Sequence, residues 1–463
     1  MKKKLTLSLL LILVSLFVYN LYIHFTTYSF SHTKVKDNIA YLSSDYFKGR
    51  LAGSLENIEV SAYIKNSFEK NGLLPYEGNY FDQFDTNYPH RIDESPYLKI
   101  IDSKGTTVKE FKYGTEYKEE MLNFKKNYFN FRKRDAIKQT EGALQVNIGN
   151  DGLVLFVPTD NSLDFRSSFL GSDNRFQSMY VMVTSDTLKT IKAYLEKNYK
   201  ISCYIPIDIK KATVNNVVGY IKGKDSSAPP VVISAHFDHL GTDLSGKIYR
   251  GAFDNASGIS FILELNNYIA SLGKPDRDII FAAFNAEEFG CLGSEHFVQK
   301  FSDRLTGSKV YNFDMIGSSS VPLSIMGGSK DTTSTPFMHS VSLTCTSQRV
   351  DYKMLFEDSS DHEAFRKNNI DAITFCDSDL SRIHTSEDNV SYISTSAIDR
   401  CFKVASKEIL KTAYSSNIFL VYNGSITLLS GIGAFIVFIG FLYEIKIIKI
   451  KFNLKNLLQF KKP

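Results

Sequence analysis

Val231–Gly241 reads VVISAHFDHLG, and Gly251–Gly258 reads GAFDNASG. The first stretch opens on a β-branched apolar run after Pro229 and Pro230, the pattern of a buried strand. His236 and Asp238 stand two residues apart at its end, so an extended chain points both side chains the same way. Asp254 precedes the helical apolar spacing of Ala256–Leu272, which predicts a helix N-terminus at that carboxylate. A histidine and two carboxylates gathered at strand ends and loops have the chemistry of a metal site.

Working outward, the strand-like pieces NNVVGYIKG, VVISAHFD, DIIFAAFNA, KVYNFDMIG, PLSIM and DAITFCD alternate with helical stretches. Those helices are expected after Asp254, over SEHFVQKF, around Phe337–Cys345, over HEAFRKN and from Ser396 to Tyr414. The alternation predicts an α/β fold, a mostly parallel mixed sheet flanked by helices, with its site at the carboxyl ends of the strands. Upstream, helices are expected at Val35–Phe47 and Asn57–Asn71, joined by the loop SDYFKGRLAGS. Arg50 in that loop reads as a structural arginine that pairs backbone carbonyls, and Phe81, Phe84 and Tyr88 lead onward. Between Tyr97 and Lys210 the texture changes to short strands, charged loops and one helical stretch at Ser185–Asn198, with no histidine. This reads as an inserted accessory domain, either a cap over the site mouth or structural filler.

The remaining ligand-type residues fall at strand ends too. Glu287 and Glu288 follow IIFAAFNA, Asp314 follows KVYNF, and His384 lies in RIHTSED after DAITFCD. Imidazole and carboxylate donors suit zinc, with cobalt or manganese fitting similar ligands, and disfavour copper(I) and iron–sulfur centres. A pair of ions requires a bridging carboxylate. In an adjacent Glu pair, one side chain can ligate while its neighbour takes a proton from water. His239, His296, His339 and His362 read as structural.

Composition narrows the classes. A net charge of +4, with much of the lysine excess at the two ends, gives nucleic-acid binding little support. Five scattered cysteines without a CxxC pair argue against a disulfide framework and a thiolate zinc site. Lys2, Lys3 and Lys4 precede an apolar run from Leu5 to Ile23, and Ile426–Tyr443 is apolar and charge-free. Lys446, Lys449, Lys451, Lys455, Lys461 and Lys462 follow the second run, the pattern of a membrane helix with a cytoplasmic tail. The first run reads as an uncleaved signal anchor, because no small-x-small site precedes Tyr19, Tyr22 and Phe25; a cleaved signal peptide is the alternative.

HFDHLG, GAFDNASG, FNAEEFGCLGSEHF, NFDMIG, SSDH and IHTSED resemble, in order, the motifs of the di-zinc aminopeptidase family of secreted bacterial leucyl aminopeptidases, whose relatives include glutamate carboxypeptidase. The resemblance covers Ala212 to about Tyr414, and SDYFKGRLAGS is similar to the family's N-terminal region. It implies two zinc ions per chain, one held by His236, Asp254 and Asp314, the other by Asp254, Glu288 and His384. It further implies Glu287 as general base for the water between them and Asp238 as the hydrogen-bond acceptor that orients His236. Asp361 and His362 would shape the site without ligating. The implied function is a membrane-anchored zinc aminopeptidase acting on peptides with a free N-terminus. Its catalytic part would be extracellular at the cell membrane and both termini cytoplasmic. A carboxypeptidase, a glutaminyl cyclase and a non-catalytic receptor-like relative are the alternatives.

The implied division is an N-terminal membrane segment (1–30), the first part of the peptidase domain (31–96) and a protease-associated-like insert (97–211). A catalytic domain (212–415), a transmembrane helix (424–444) and a basic tail (445–463) follow. There is one departure. Where relatives often place a tyrosine near the scissile carbonyl, this chain has Ile383 and Leu355-Phe356-Glu357, leaving Tyr352 as the remaining candidate.

Overall fold

The computed structural model describes residues 2–170 and 177–445. The chain divides into two units, Phe30–Ala413 and the terminal segments Met1–Ser29 with Tyr414–Pro463.

The larger unit is built on a nine-stranded sheet. Its strands are β1 (Leu74–Pro75), β2 (Phe81–Arg91), β3 (Ile207–Ile221), β4 (Val231–His236) and β5 (Ile279–Phe284), then β6 (Lys309–Phe313), β7 (Leu323–Gly327), β8 (Tyr352–Phe356) and β9 (Asp371–Cys376). The order is β1-β3-β5-β4-β6-β9-β7-β8, with β2 also paired to β3. The centre, β5-β4-β6-β9, is parallel. β3 joins it antiparallel on one side and β7 antiparallel on the other. Every residue of β4 and β5 is buried, which is why these strands read as unbroken apolar runs. One face packs Val232, Ile280 and Val310 against Phe297, Val298 and Phe365 of helices Leu292–Leu305 and His362–Lys367. The other face takes helix Ser257–Ala270, whose Phe261 ring lies 4.7 Å from that of Phe313.

The mixed sheet flanked by helices is as expected, its four central strands parallel, with three additions, β1, β2 and β8. β2 and β8 carry polar residues that obscured their periodicity, and β2 is held in place by eleven register pairs along β3. The expected helix at Val35–Phe47 spans His32–Leu42 and stops where the Ser43 hydroxyl donates back to Ile39 O at 2.7 Å. The chain then turns through left-handed Lys48, Gly49 and Arg50. A Cβ on Gly49 would fall 2.3 Å from Tyr249 O, so no other residue fits there.

Between β2 and β3 the chain forms a five-stranded and a four-stranded sheet, with helix Ser185–Glu196 capped by the Thr184 side chain. Their core, including Met121, Leu155, Val181 and Cys203, is continuous with Leu240, Tyr249 and Phe289 beside the strand ends of the main sheet.

The terminal unit contains helices Lys2–Thr26 and Asn423–Glu444, both long and apolar enough to cross a membrane. Asn423 Nδ2 donates to Asn20 O at 3.1 Å, and the Tyr19 and Phe419 rings meet edge-on at 5.2 Å. The lysines from Lys446 to Lys462, read above as a cytoplasmic tail, lie outside the described residues.

Candidate metal centre

His236 closes β4 and is almost fully buried. Two residues on, Asp238 is completely buried and accepts the backbone N–H of Glu287 at 3.1 Å and of Glu288 at 3.2 Å. One carboxylate thus fixes the turn that presents the Glu pair after β5. Its Oδ1 also faces His236 Nδ1 at 3.6 Å.

Asp254 lies in the turn Ala252–Ala256 before helix Ser257–Ala270, with non-helical backbone angles rather than as a plain helix cap. Gly251 introduces the turn in the left-handed region, where a Cβ would fall 2.3 Å from Asp254 O and 2.5 Å from the His239 ring. Asp388 accepts the N–H of Phe253 at 2.7 Å and of Asp254 at 3.0 Å, and burial pushes its carboxyl up to about 6. Asn255 donates to Phe313 O at 2.9 Å and accepts from Gly258 N at 2.8 Å, tying the turn to β6. Arg50 is fully buried and donates to Phe237 O at 2.9 Å, Leu42 O at 2.9 Å, Arg250 O at 2.7 Å and Gly251 O at 2.8 Å. It is the carbonyl-pairing arginine that the loop predicted, joining the end of β4 to the Asp254 turn. Burial lowers its pKa to about 10, against the pull of Asp388, Asp238 and Asp254.

The two oxygens of Asp254 face different histidines. Oδ1 lies 3.4 Å from His236 Nε2, and Oδ2 lies 3.2 Å from His384 Nε2. Asp314 Oδ1 is 3.3 Å from His236 Nε2, and Glu288 Oε2 is 3.3 Å from His384 Nε2. Glu287 Oε2 stands 3.8 Å from His236 Nε2. Potential ligand atoms of His236, Asp254 and Asp314 lie within 4.8 Å of one another, as do those of His239, Asp254 and Glu288. All of the predicted ligand residues and Glu287 therefore meet in one place. His239, expected to be structural, joins them, with Nδ1 2.8 Å from Glu288 Oε1.

The inserted segment reaches the same place. Ser168 Oγ donates to Glu288 Oε2 at 2.8 Å, and Phe169 N donates to Glu288 O at 2.7 Å. Arg166 N donates to His384 O at 2.9 Å, and the Phe165 ring stacks on that of His384 at 5.8 Å. Asp164 accepts from the Ser386 hydroxyl at 2.9 Å. Asp388 and this strap were missed by sequence reasoning. IHTSED displayed the aspartate without its role, and nothing in the strap's composition marks it.

On the far side, Ser360 Oγ donates to Asp314 Oδ2 at 2.7 Å, and Asn312 Nδ2 donates to Ser360 Oγ at 3.0 Å. His362 bonds Thr374 Oγ1 and Glu357 O, both at 2.8 Å, away from the ligand atoms. Asp361 is fully buried, no hydrogen bond meets its carboxylate oxygens among the described residues, and burial pushes it up to about 7. A cleft of about 480 Å³ opens over Asp254, Glu287, Asp314 and His384, with Leu355, Glu357 and Ile383 in its walls. Tyr352 is not among its lining residues.

Asp254, Glu287, Glu288 and Asp314 are four acidic side chains in one largely buried cluster, and their ion-pair partners among the described residues are histidines alone. Buried carboxylates without compensating charge cost several kcal/mol each. Divalent cations with nitrogen and oxygen ligands supply that charge, and this donor set fits zinc.

Residues 216–409 match the family model of peptidase family M28. Aminopeptidase YwaD of Bacillus subtilis is 32% identical over 194 residues, 39% of this chain and 41% of that protein. The alignment thus spans about two fifths of that curated relative. Among solved structures, the aminopeptidase from Aneurinibacillus sp. strain AM-1 superposes with a TM-score of 0.58 at 19% identity, covering 83% of this chain and 94% of that one. BSAP, a zinc aminopeptidase from Bacillus subtilis, gives 0.56 at 20% identity over 83% and 96%. These two likenesses bear on the fold. The resemblance read from the motifs holds over residues 216–409, the segment that carries every predicted ligand.

Proposed function

We propose that the chain is a zinc-dependent aminopeptidase, anchored to a membrane by its terminal helices, that removes N-terminal residues from peptides. The observation that carries this reading is the division of Asp254 between His236 and His384. His236, Asp254 and Asp314 would hold one ion, and Asp254, Glu288 and His384 the other. Zinc so held supplies Lewis acidity, polarising the scissile carbonyl and acidifying water.

The chain's own residues do the rest. Glu287, partly buried beside the ligands but on none of their closest approaches, takes the proton of the attacking water and returns it to the leaving amine. Asp238 holds the N–H groups of Glu287 and Glu288 and so aims the base and its neighbouring ligand together. The strap from the 97–211 insert supports Glu288 and His384 from the opposite side. The relatives named above are themselves called aminopeptidases, which favours a free amine on the substrate. The lysines at both ends favour cytoplasmic termini and an outward-facing catalytic domain.

Zinc-loaded full chain in detergent is expected to hydrolyse aminoacyl anilides. Glu287→Gln should lower kcat by about 10²–10⁴ while keeping its metal, the usual range for removing a general base. Undiminished turnover in Glu287→Gln removes this mechanism. Cleavage confined to acyl-blocked peptides would move the assignment to a carboxypeptidase.

A further inference from the structure

Lys353 is the one lysine or arginine among the described residues lining the cleft over Asp254, Glu287 and Asp314. It lies on β8, the edge strand, where period-two alternation turns Lys353, Leu355 and the following Glu357 to the same face, and all three line the cleft. Register carries this row inward. Lys353 stands opposite Ser324 of β7, and Ser324 opposite Cys376 at the carboxyl end of β9. The lysine is thus placed beside the strand ends that bear the ligands.

Among the described residues no hydrogen bond or ion pair engages its ammonium, although the side chain is half-buried. Glu357, four residues along an extended chain, is about 13 Å away backbone to backbone, too far to neutralise it. A partly desolvated cation without a protein partner gives up hydration for nothing within the chain itself. The other charged groups around the cleft are carboxylates and an imidazole, so an incoming carboxylate has one lysine to meet and several like charges to avoid.

We propose that Lys353 is a carboxylate-recognising group of the cleft, selecting substrates that bring a carboxylate to the β8 wall. The free C-terminus of a short peptide and an acidic side chain share that chemistry, and a lysine on its flexible stem serves either. The proposal rests on the peptidase reading and specifies its substrate class.

Its test is the ratio of kcat/KM within two substrate pairs, measured on zinc-loaded full chain in detergent: leucyl-glycine against leucyl-glycinamide, and glutamyl anilide against glutaminyl anilide. Wild type is expected to prefer the carboxylate member of at least one pair by about tenfold, the scale of one charge-assisted contact. Lys353→Met should bring that ratio to about one, Lys353→Glu should reverse it, and Lys353→Arg should keep it. A change confined to the first pair assigns the C-terminal carboxylate, and one confined to the second assigns the side chain. Ratios unmoved in both pairs, with wild type active, overturn the proposal alone. Wild type that cleaves none of the four overturns the peptidase reading, and this proposal with it.

Discussion

His239 holds its Nδ1 2.8 Å from Glu288 Oε1, while the other oxygen of Glu288 faces His384 at 3.3 Å. Two imidazoles therefore compete for one carboxylate. His239 is completely buried behind the Asp254 turn, whereas His384 lines the cleft. In the site proposed above, His239 would orient Glu288 and His384 would be the ligand.

His384→Ala should accordingly lose one zinc per chain at any practical concentration. His239→Gln should keep the full count at saturating zinc but weaken affinity by about 10–100-fold, as when a ligand's hydrogen-bond partner is removed. Zinc titration with a competing chelator checks both, and the opposite ranking would exchange the two roles.

Ser168 supports the same carboxylate from the inserted segment, at 2.8 Å. Ser168→Ala is expected to weaken zinc binding by about tenfold and to leave the unfolding temperature of the metal-free chain within about 1–2 °C, as for a change away from the core. A large fall in unfolding temperature without a change in zinc affinity would make Ser168 merely a packing residue.

Arg50 donates to four backbone carbonyls in a fully buried site. Arg50→Met should destabilise the metal-free chain by about 3 kcal/mol or more, since several buried acceptors lose their donor at once. Arg50→Lys should not restore it, because an ammonium lacks the planar fork that spans these carbonyls. Denaturant unfolding followed by circular dichroism measures both.

The central strands and the candidate ligands at their ends were legible for one physical reason. β4, β5, β6 and β9 are buried on both faces, so their apolar runs end abruptly, and the polar residues at each end are those delivered to the site. β2 carries Asp82, Gln83, Asp85 and Asn87 among its aromatics, and β8 is an edge strand, so neither showed such a run. His239 was read as structural without its partner Glu288, because the chain beyond His236 is no longer extended and period two does not tell where a third side chain points. The strap was invisible because it works through the N–H groups of Arg166 and Phe169, which almost any residue offers. Asp238 was placed beside His236, but its backbone partners were not foreseen. Its acceptors meet backbone from a stretch 49 residues away, and no local pattern reports that.

In the proposed site Asp254 joins two metal positions, and metal content per chain tests that bridge. Wild type purified in zinc and freed of loosely bound ion should carry two zinc ions per chain. Asp254→Ala should carry none, while Asp238→Ala, which loosens the Glu287–Glu288 turn without removing a ligand, should retain zinc with reduced affinity and turnover. An Asp254→Ala chain that keeps its zinc while Asp238→Ala comes out empty would contradict the account.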